Sequence, residues 1–201
     1  MLSEKIAEAL DQGGFLEDCL FEKETLTGVD LSRMELKNVQ FRKCCFEGCH
    51  FTKVSFYGAL FKNCDFSNCA FAGSYWKQGR VEDSRGDGSD FDQACFKESE
   101  FLRSSLCYVN FARSLWENCA ITECLLKESS LAECKFKKLT VKRTQLIRAD
   151  FFKTLLKGMD FSDCEIEGIM FSDSFSELRG LKISPSQAVT IAQMLGVKVV
   201  F

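Results

Sequence analysis

The sequence predicts an all-β solenoid of square coils, and three observations predict it. A large apolar residue recurs at every fifth position, from Leu16, Phe21, Leu26, Leu31 and Leu36 through Phe136 to Phe171, and Gly86 is the only break in 32 steps. A second register, two residues earlier, holds small residues such as Cys44, Cys49, Val54, Ala59, Cys64, Cys69 and Ser74. The remaining positions are mostly polar or charged. A period of five belongs to neither the helix nor the strand. It suits a chain that turns a corner with each repeat, so that four sides close a coil of 20 residues. Coils stacked about 4.8 Å apart would rest each large side chain on its equivalent 20 residues away, and eight of them would build a rod of roughly 38 Å.

The elements follow in order. A solenoid must cover its terminal coils or polymerise. Residues 1–13 supply a first cover, a short amphipathic helix over Ser3–Ala9 with Ser3 as N-cap and Ile6, Ala9 and Leu10 on one side. Residues 14–176 carry the repeats. Residues 177–201 form a second module. In it Ser184 is an N-cap, Pro185 fits the first helical position and Gln187 completes a capping box. Ala188, Ile191, Ala192 and Leu195 follow at helical spacing until Gly196 stops the helix. The tail Val197-Lys198-Val199-Val200-Phe201 is strongly β-forming and apolar, so it is expected to cover either its own last coil or a partner's.

The repeat, small-x-Leu/Phe-polar-x, resembles the pentapeptide-repeat family over roughly Gly14 to Ser174. That resemblance implies a right-handed quadrilateral β-helix with short N- and C-terminal helices. The ending from Gly180 to Val199, and Asp87-Gly-Ser-Asp-Phe91 with the stretch before it, resemble the quinolone-resistance (Qnr-type) proteins. There the C-terminal helix and strand build a two-fold dimer that binds bacterial type II topoisomerases, DNA gyrase or topoisomerase IV. By this resemblance Ile191, Met194, Leu195, Val197, Val199, Val200 and Phe201 are the expected dimerisation residues of a homodimer. Many Qnr-type proteins interrupt their repeats with projecting loops that engage the topoisomerase. This register is unbroken except at Gly86, so the chain is more similar to the loop-less, DNA-mimicking MfpA-like members.

Composition narrows the function. The formal charge is −3 with a pI near 5.4, against direct nucleic-acid binding. No apolar stretch reaches the roughly 18 residues of a membrane span, and Met1–Asp11 lacks a signal peptide's apolar run. A cytoplasmic location is expected, where the 12 cysteines stay reduced. Nine of them fall in the small register, as compact core residues. No pair has zinc spacing, although Cys44 with Cys64, and Cys49 with Cys69, would stack near disulfide distance. The single histidine, His50, points outward beside Phe51 without a nucleophile or acid–base partner, and Asp87-Gly-Ser-Asp lacks the further ligands of a calcium loop. No enzyme, cofactor or metal is expected.

Charge is what remains. Sorted by 20-residue period, the face led by Leu26 has net charge −3 and that led by Leu31 has −2. The faces of Phe21 and Leu16 come to +1 and +2, with Lys135, Lys137 and Lys138 dominating the last. The acidic half, Glu47, Asp65, Asp87, Asp90, Asp92, Glu128, Asp150, Glu165 and Glu167, is the expected partner-binding surface, imitating the phosphate rows of duplex DNA toward a topoisomerase's basic channel. Asp87, Asp90 and Asp92 are expected to cluster beside a dent left by Gly86. The alternative is a scaffold for a protein that is not a topoisomerase.

Overall fold

The computed structural model describes residues 2–200. Parallel pairing between residues 20 apart governs the fold. The column Leu16, Leu36, Phe56, Trp76, Phe96, Trp116, Phe136 is in register strand to strand, as is the column from Phe21 through Phe41, Phe61, Val81 and Phe101 to Ile121 and Val141. These two faces share one twelve-stranded sheet, whose longest members are Leu115–Thr122 and Lys135–Lys142. The other two faces are built differently. Apart from the short strands Thr25–Thr27 and Cys45–Glu47, they are tight turns joined by single bridges. One such ladder runs Asp30, His50, Ala70, Asp90, Asn110, Ser130, Asp150, Met170, seven bridges joining successive coils. The expected β-helix is therefore present, with a strand half (the Leu16 and Phe21 faces) and a turn half (the Leu26 and Leu31 faces).

Each corner is made by the residue two after the core position. From Asp18 to Lys153 every such residue has positive φ, whether glycine, as at Gly48, or a bulky residue such as Tyr108 at 60°. The left-handed conformation costs an L-residue about 1–2 kcal/mol, and the buried ring stack repays it. Phe51, Phe71, Phe91 and Phe111 stack with centroids 4.6, 4.5 and 5.1 Å apart. Phe56 lies 4.0 Å from Trp76, and Phe96 lies 4.2 Å from Trp116. Both indoles are satisfied, Trp76 donating to Ser74 Oγ at 2.9 Å and Trp116 to Ser114 Oγ at 2.8 Å.

The small register does more than fill space. Cys64 Sγ donates to Phe41 O at 3.3 Å, Ser89 Oγ to Phe66 O at 2.8 Å and Thr154 Oγ1 to Leu131 O at 2.7 Å. Others bond nearer carbonyls, Ser104 Oγ to Leu102 O at 2.9 Å and Ser129 Oγ to Leu126 O at 2.8 Å, so cysteine, serine and threonine serve there as small residues that each give one donor to a backbone carbonyl. All twelve cysteines are free thiols.

Four expectations are corrected. Helix α1 spans Leu2–Asp11, so Ser3 lies inside it and is not its cap. Its buried stripe is Leu2, Ile6 and Ala9, and Leu10, about 100° further round, is exposed. Gly86 leaves no dent, because the Phe66 ring fills it: a Cβ there would sit 2.0 Å from Phe66 Cε2. Phe136 is only half-buried. The coil above it has drawn away, and no backbone hydrogen bond joins Lys135–Lys142 to residues 155–163.

The last coil is irregular. Asp160 bridges Lys182, a step of 22 where the other bridges step by 20. The extra length is taken up by the 3-10 turn Ser176–Leu178. Its Glu177 is 1% exposed and accepts from Lys153 N–H at 2.8 Å, Ser172 N–H at 3.2 Å and Ser172 Oγ at 2.9 Å. Helix α2, Pro185–Met194, has the expected capping box and proline, and Gly196 follows it at φ 79°.

Candidate interaction surfaces

The acidic carboxylates fall into two structural classes. Those just before a core position on the turn half cap the turn of their own repeat. Asp65 accepts from Ser67 N–H at 2.9 Å and its hydroxyl at 2.6 Å, Asp90 from Asp92 N–H at 3.0 Å, and Asp150 from Phe152 N–H at 2.9 Å. These are Asx turns, the geometry in which a short carboxylate replaces a backbone acceptor.

Those after the core position pair across coils. Asp87 accepts from Arg85 Nε at 2.8 Å, Ser105 Oγ at 2.6 Å and Cys107 N–H at 2.9 Å. Burial pushes its carboxyl up, but these three donors outweigh burial and hold it below the usual carboxylate range. Asp92 behaves alike: burial opposes the charge, and a two-point contact with Arg113 at 2.9 and 2.6 Å, with Gln93, more than offsets it. Asp90 takes Asn110 Nδ2 at 2.8 Å. The three mid-rod aspartates are thus divided between neighbouring faces, each with partners of its own.

The glutamates reach further out. Glu47 accepts from Thr27 Oγ1 at 3.1 Å, Glu165 from Gln145 Nε2 at 3.0 Å, and Glu128 stands 4.0 Å from Arg148. Glu167 is exposed at the edge of a shallow hollow with Ile147 and Thr190. Sequence reasoning missed the division between turn-capping aspartates and outreaching glutamates, although side-chain length signals it.

Most buried thiols are held protonated, and the exception is Cys44, which a hydrogen bond with the Cys64 thiol lowers. Burial pushes the Cys69 thiol up to about 12, and Cys124 and Cys134 to about 11. Among the described residues no group of histidine, cysteine or carboxylate side chains is placed to hold a metal ion, and no helix is long and apolar enough to cross a membrane.

The C-terminal module is anchored at one end and bare at the other. Gln187 Nε2 donates to the carbonyls of Phe161 and Cys164, both at 2.7 Å, a role its capping-box position had not suggested. Ile191 and Met194 pack partly against the core. Leu195, Val197 and Val200 are exposed, Val200 by 90%, and Val199 is half-buried. Residues 197–200 form no strand. Phe201 lies outside the described residues. Of the two alternatives for the tail, closure over its own last coil is not the observed one.

A family model described as the SV2A/B/C luminal domain matches residues 14–91, which is less than half of the chain. No curated protein sequence matches. Among solved structures, the chain is similar to trypsin-treated QnrB1, a plasmid-mediated fluoroquinolone resistance protein, at 20% identity, covering 93% of this chain and 99% of that one with a TM-score of 0.49. Full-length QnrB1 gives 20% identity, 89% and 100% coverage and a TM-score of 0.45. HetL, a pentapeptide-repeat protein involved in heterocyst differentiation regulation from the cyanobacterium Nostoc, gives 12% identity, 90% and 97% coverage and a TM-score of 0.35. The fivefold register and the 20-residue coil it builds make the chain a pentapeptide-repeat β-solenoid.

Proposed function

We propose that the protein is a non-catalytic, cytoplasmic binding rod that engages the DNA-binding surface of a bacterial type II topoisomerase, gyrase or topoisomerase IV, and modulates quinolone action. The observation that carries the reading is the acidity of two adjacent faces on a rod without projecting loops, with Glu47, Glu128, Glu165 and Glu167 as its outreaching charges. The Qnr-like sequence from Gly180 to Val199 supports it. So do twelve free thiols, which suit a reducing compartment. The bare apolar tail supports a homodimer joined through Leu195, Val197, Val199 and Val200 with Ile191 and Met194 beneath. Titrating the protein into gyrase supercoiling assays, with and without ciprofloxacin, tests this. Inhibition or drug protection that weakens on Glu165→Lys/Glu167→Lys is expected. No effect at micromolar protein rejects the reading.

A second reading, a scaffold for another protein, is favoured by charge density. Duplex DNA carries about one charge per 1.7 Å, whereas Arg85 and Arg113 already neutralise Asp87 and Asp92 here. Capture of a non-topoisomerase partner that competing DNA does not displace would select it.

A further inference from the structure

The ladder of the strand half stops at one place. Below it, Lys135 N–H reaches Ser114 O at 2.9 Å, Glu98 N–H reaches Glu117 O at 2.8 Å and Glu123 N–H reaches Lys142 O at 3.0 Å. Across the next coil boundary the equivalent bonds are missing: Leu155 to Cys134, Lys138 to Lys157, and Arg143 to Ser162. Residues 155–163 are held from their far side instead, Leu156 N–H on Glu177 O at 3.1 Å, Gly158 N–H on Gly180 O at 3.0 Å and Phe161 N–H on Lys182 O at 2.9 Å.

The opening is bounded. At one end Cys134 N–H bonds Thr154 Oγ1 at 2.8 Å, and at the other Glu165 N–H bonds Thr144 O at 3.0 Å. The turn half stays shut across the same two coils, with Leu146 N–H on Glu165 O at 2.7 Å. The result is a slot that bows apart across two faces. On the Leu16 face it widens into a cleft of about 520 Å³, with Phe136 half-buried on one wall and Leu155, 68% exposed, on the other.

The strand Lys135–Lys142 spends its alternate backbone groups on the strand beneath, Leu115–Thr122. The N–H groups of Phe136, Lys138, Val141 and Arg143, and the carbonyls of Cys134, Phe136 and Leu139, face the slot without a backbone partner. That is a sheet edge of the kind that accepts an added strand. Its charge selects the strand. Lys135, Lys137, Lys138, Lys153 and Lys157 surround the slot against a single lining carboxylate, Glu133, and among the described residues none of these lysines is in an ion pair within 4.0 Å. Edge lysines repel a second copy of the same edge, and the apolar tail, with Lys198, offers them no charge complement.

We propose that this slot is a docking site for an extended acidic segment of a partner protein. The segment pairs its backbone with Lys135–Lys142, lays alternate apolar side chains on Phe136 and Leu155, and turns its carboxylates to the lysines. A nucleic-acid strand lacks the alternating donors and acceptors the edge requires. The site lies on the basic half, so it stands apart from the acidic surface and does not rest on the topoisomerase reading.

The test uses the full chain and a fluorescent hexapeptide alternating glutamate and valine, with fluorescence anisotropy as readout. Saturable binding is expected, weakened at least tenfold by Lys137→Glu/Lys138→Glu and abolished when the peptide's alternate amides are N-methylated. A lysine–valine peptide should not bind. Binding that survives N-methylation, equal competition by a single-stranded oligonucleotide, or no binding at all would each overturn the proposal. Circular dichroism of the double variant should match that of the parent, and Leu155→Glu, at an exposed site, provides a second variant expected to lose binding without unfolding.

Discussion

The strand half and the turn half are made of the same repeat, yet only one of them comes apart. Across the coils that follow Lys142, the strand half loses its backbone ladder, while the turn half keeps its bridges as far as Met170. The difference lies in where each turn finds its hydrogen bonds. On the turn half, Asp30, Asp65, Asp90, Asn110 and Asp150 each cap a turn within their own repeat. Both halves also bond coil to coil, but the strand half has no such side-chain cap before Asp160, whose carboxylate accepts from Ser162 N–H. When the extra residues around Ser176–Leu178 pull residues 155–163 toward the C-terminal module, the uncapped half opens and the self-capped half does not.

The largest test of this contrast is in the core. Phe91→Ala removes a ring stacked on both sides and should cost about 3–5 kcal/mol. Phe136→Ala, beside the slot, should cost about 1–2 kcal/mol, because that side chain is already partly hydrated. Chemical denaturation of the two variants would measure the gap, and equal losses would mean that Phe136 is packed like the rest. Gly86→Ala comes next. Its Cβ would collide with the Phe66 ring, and overpacking of this kind should cost about 2–3 kcal/mol, read from the shift in denaturation midpoint.

Glu177→Gln should cost about 2 kcal/mol, since it weakens charge-assisted bonds in a buried site. The same residue gives a pH signature. Burial raises its carboxyl, but hydrogen bonds from its own backbone, Ser172 and Lys153 lower it more, so the folded pKa lies below the ordinary value. The unfolded chain then binds the proton more tightly. The contribution is complete above pH of about 4.5 and disappears as pH falls through the depressed folded value. The Gln variant should lack that part of the acid-induced loss. The smallest effect is expected at Asp65→Ala, about 1 kcal/mol for one lost turn cap, with the parallel bridge from Cys45 through Asp65 to Arg85 intact.

Much of this architecture is legible in the sequence, because the core positions recur without a gap. Leu16 to Phe171 specify coil, face and stacking partner by arithmetic alone, and Ser184, Pro185 and Gln187 specify the second helix. What the register does not reveal is anything fixed by three-dimensional fit. The ring of Phe66 leans into the space of Gly86, its column neighbour one coil on. The left-handed corner is visible only faintly, in Gly28, Gly48, Gly58, Asn38, Asn63 and Asn68, since the same position also carries Lys43, Arg103 and Tyr108. Nor does the fivefold pattern announce the slot. Phe136 and Val141 are in register, and the displacement that partly uncovers Phe136 originates some 40 residues later, at Glu177 and Lys182.

The acidic surface was legible as a net charge and illegible as a site. Counting could place Asp87 and Asp92 on the turn half, but not show that Arg85 and Arg113 meet them there. The glutamates, with longer side chains, are left as the charges a partner would feel.

Amide hydrogen exchange, residue by residue, tests the central contrast most directly. Glu98 and Glu123, whose N–H groups are paired to the next coil, should be protected like the core. Lys138 and Arg143, at the same place in the repeat but facing the slot, should exchange faster by roughly a hundredfold or more. Equal protection at all four would mean that the ladder is closed, and the account of two unlike halves would fail.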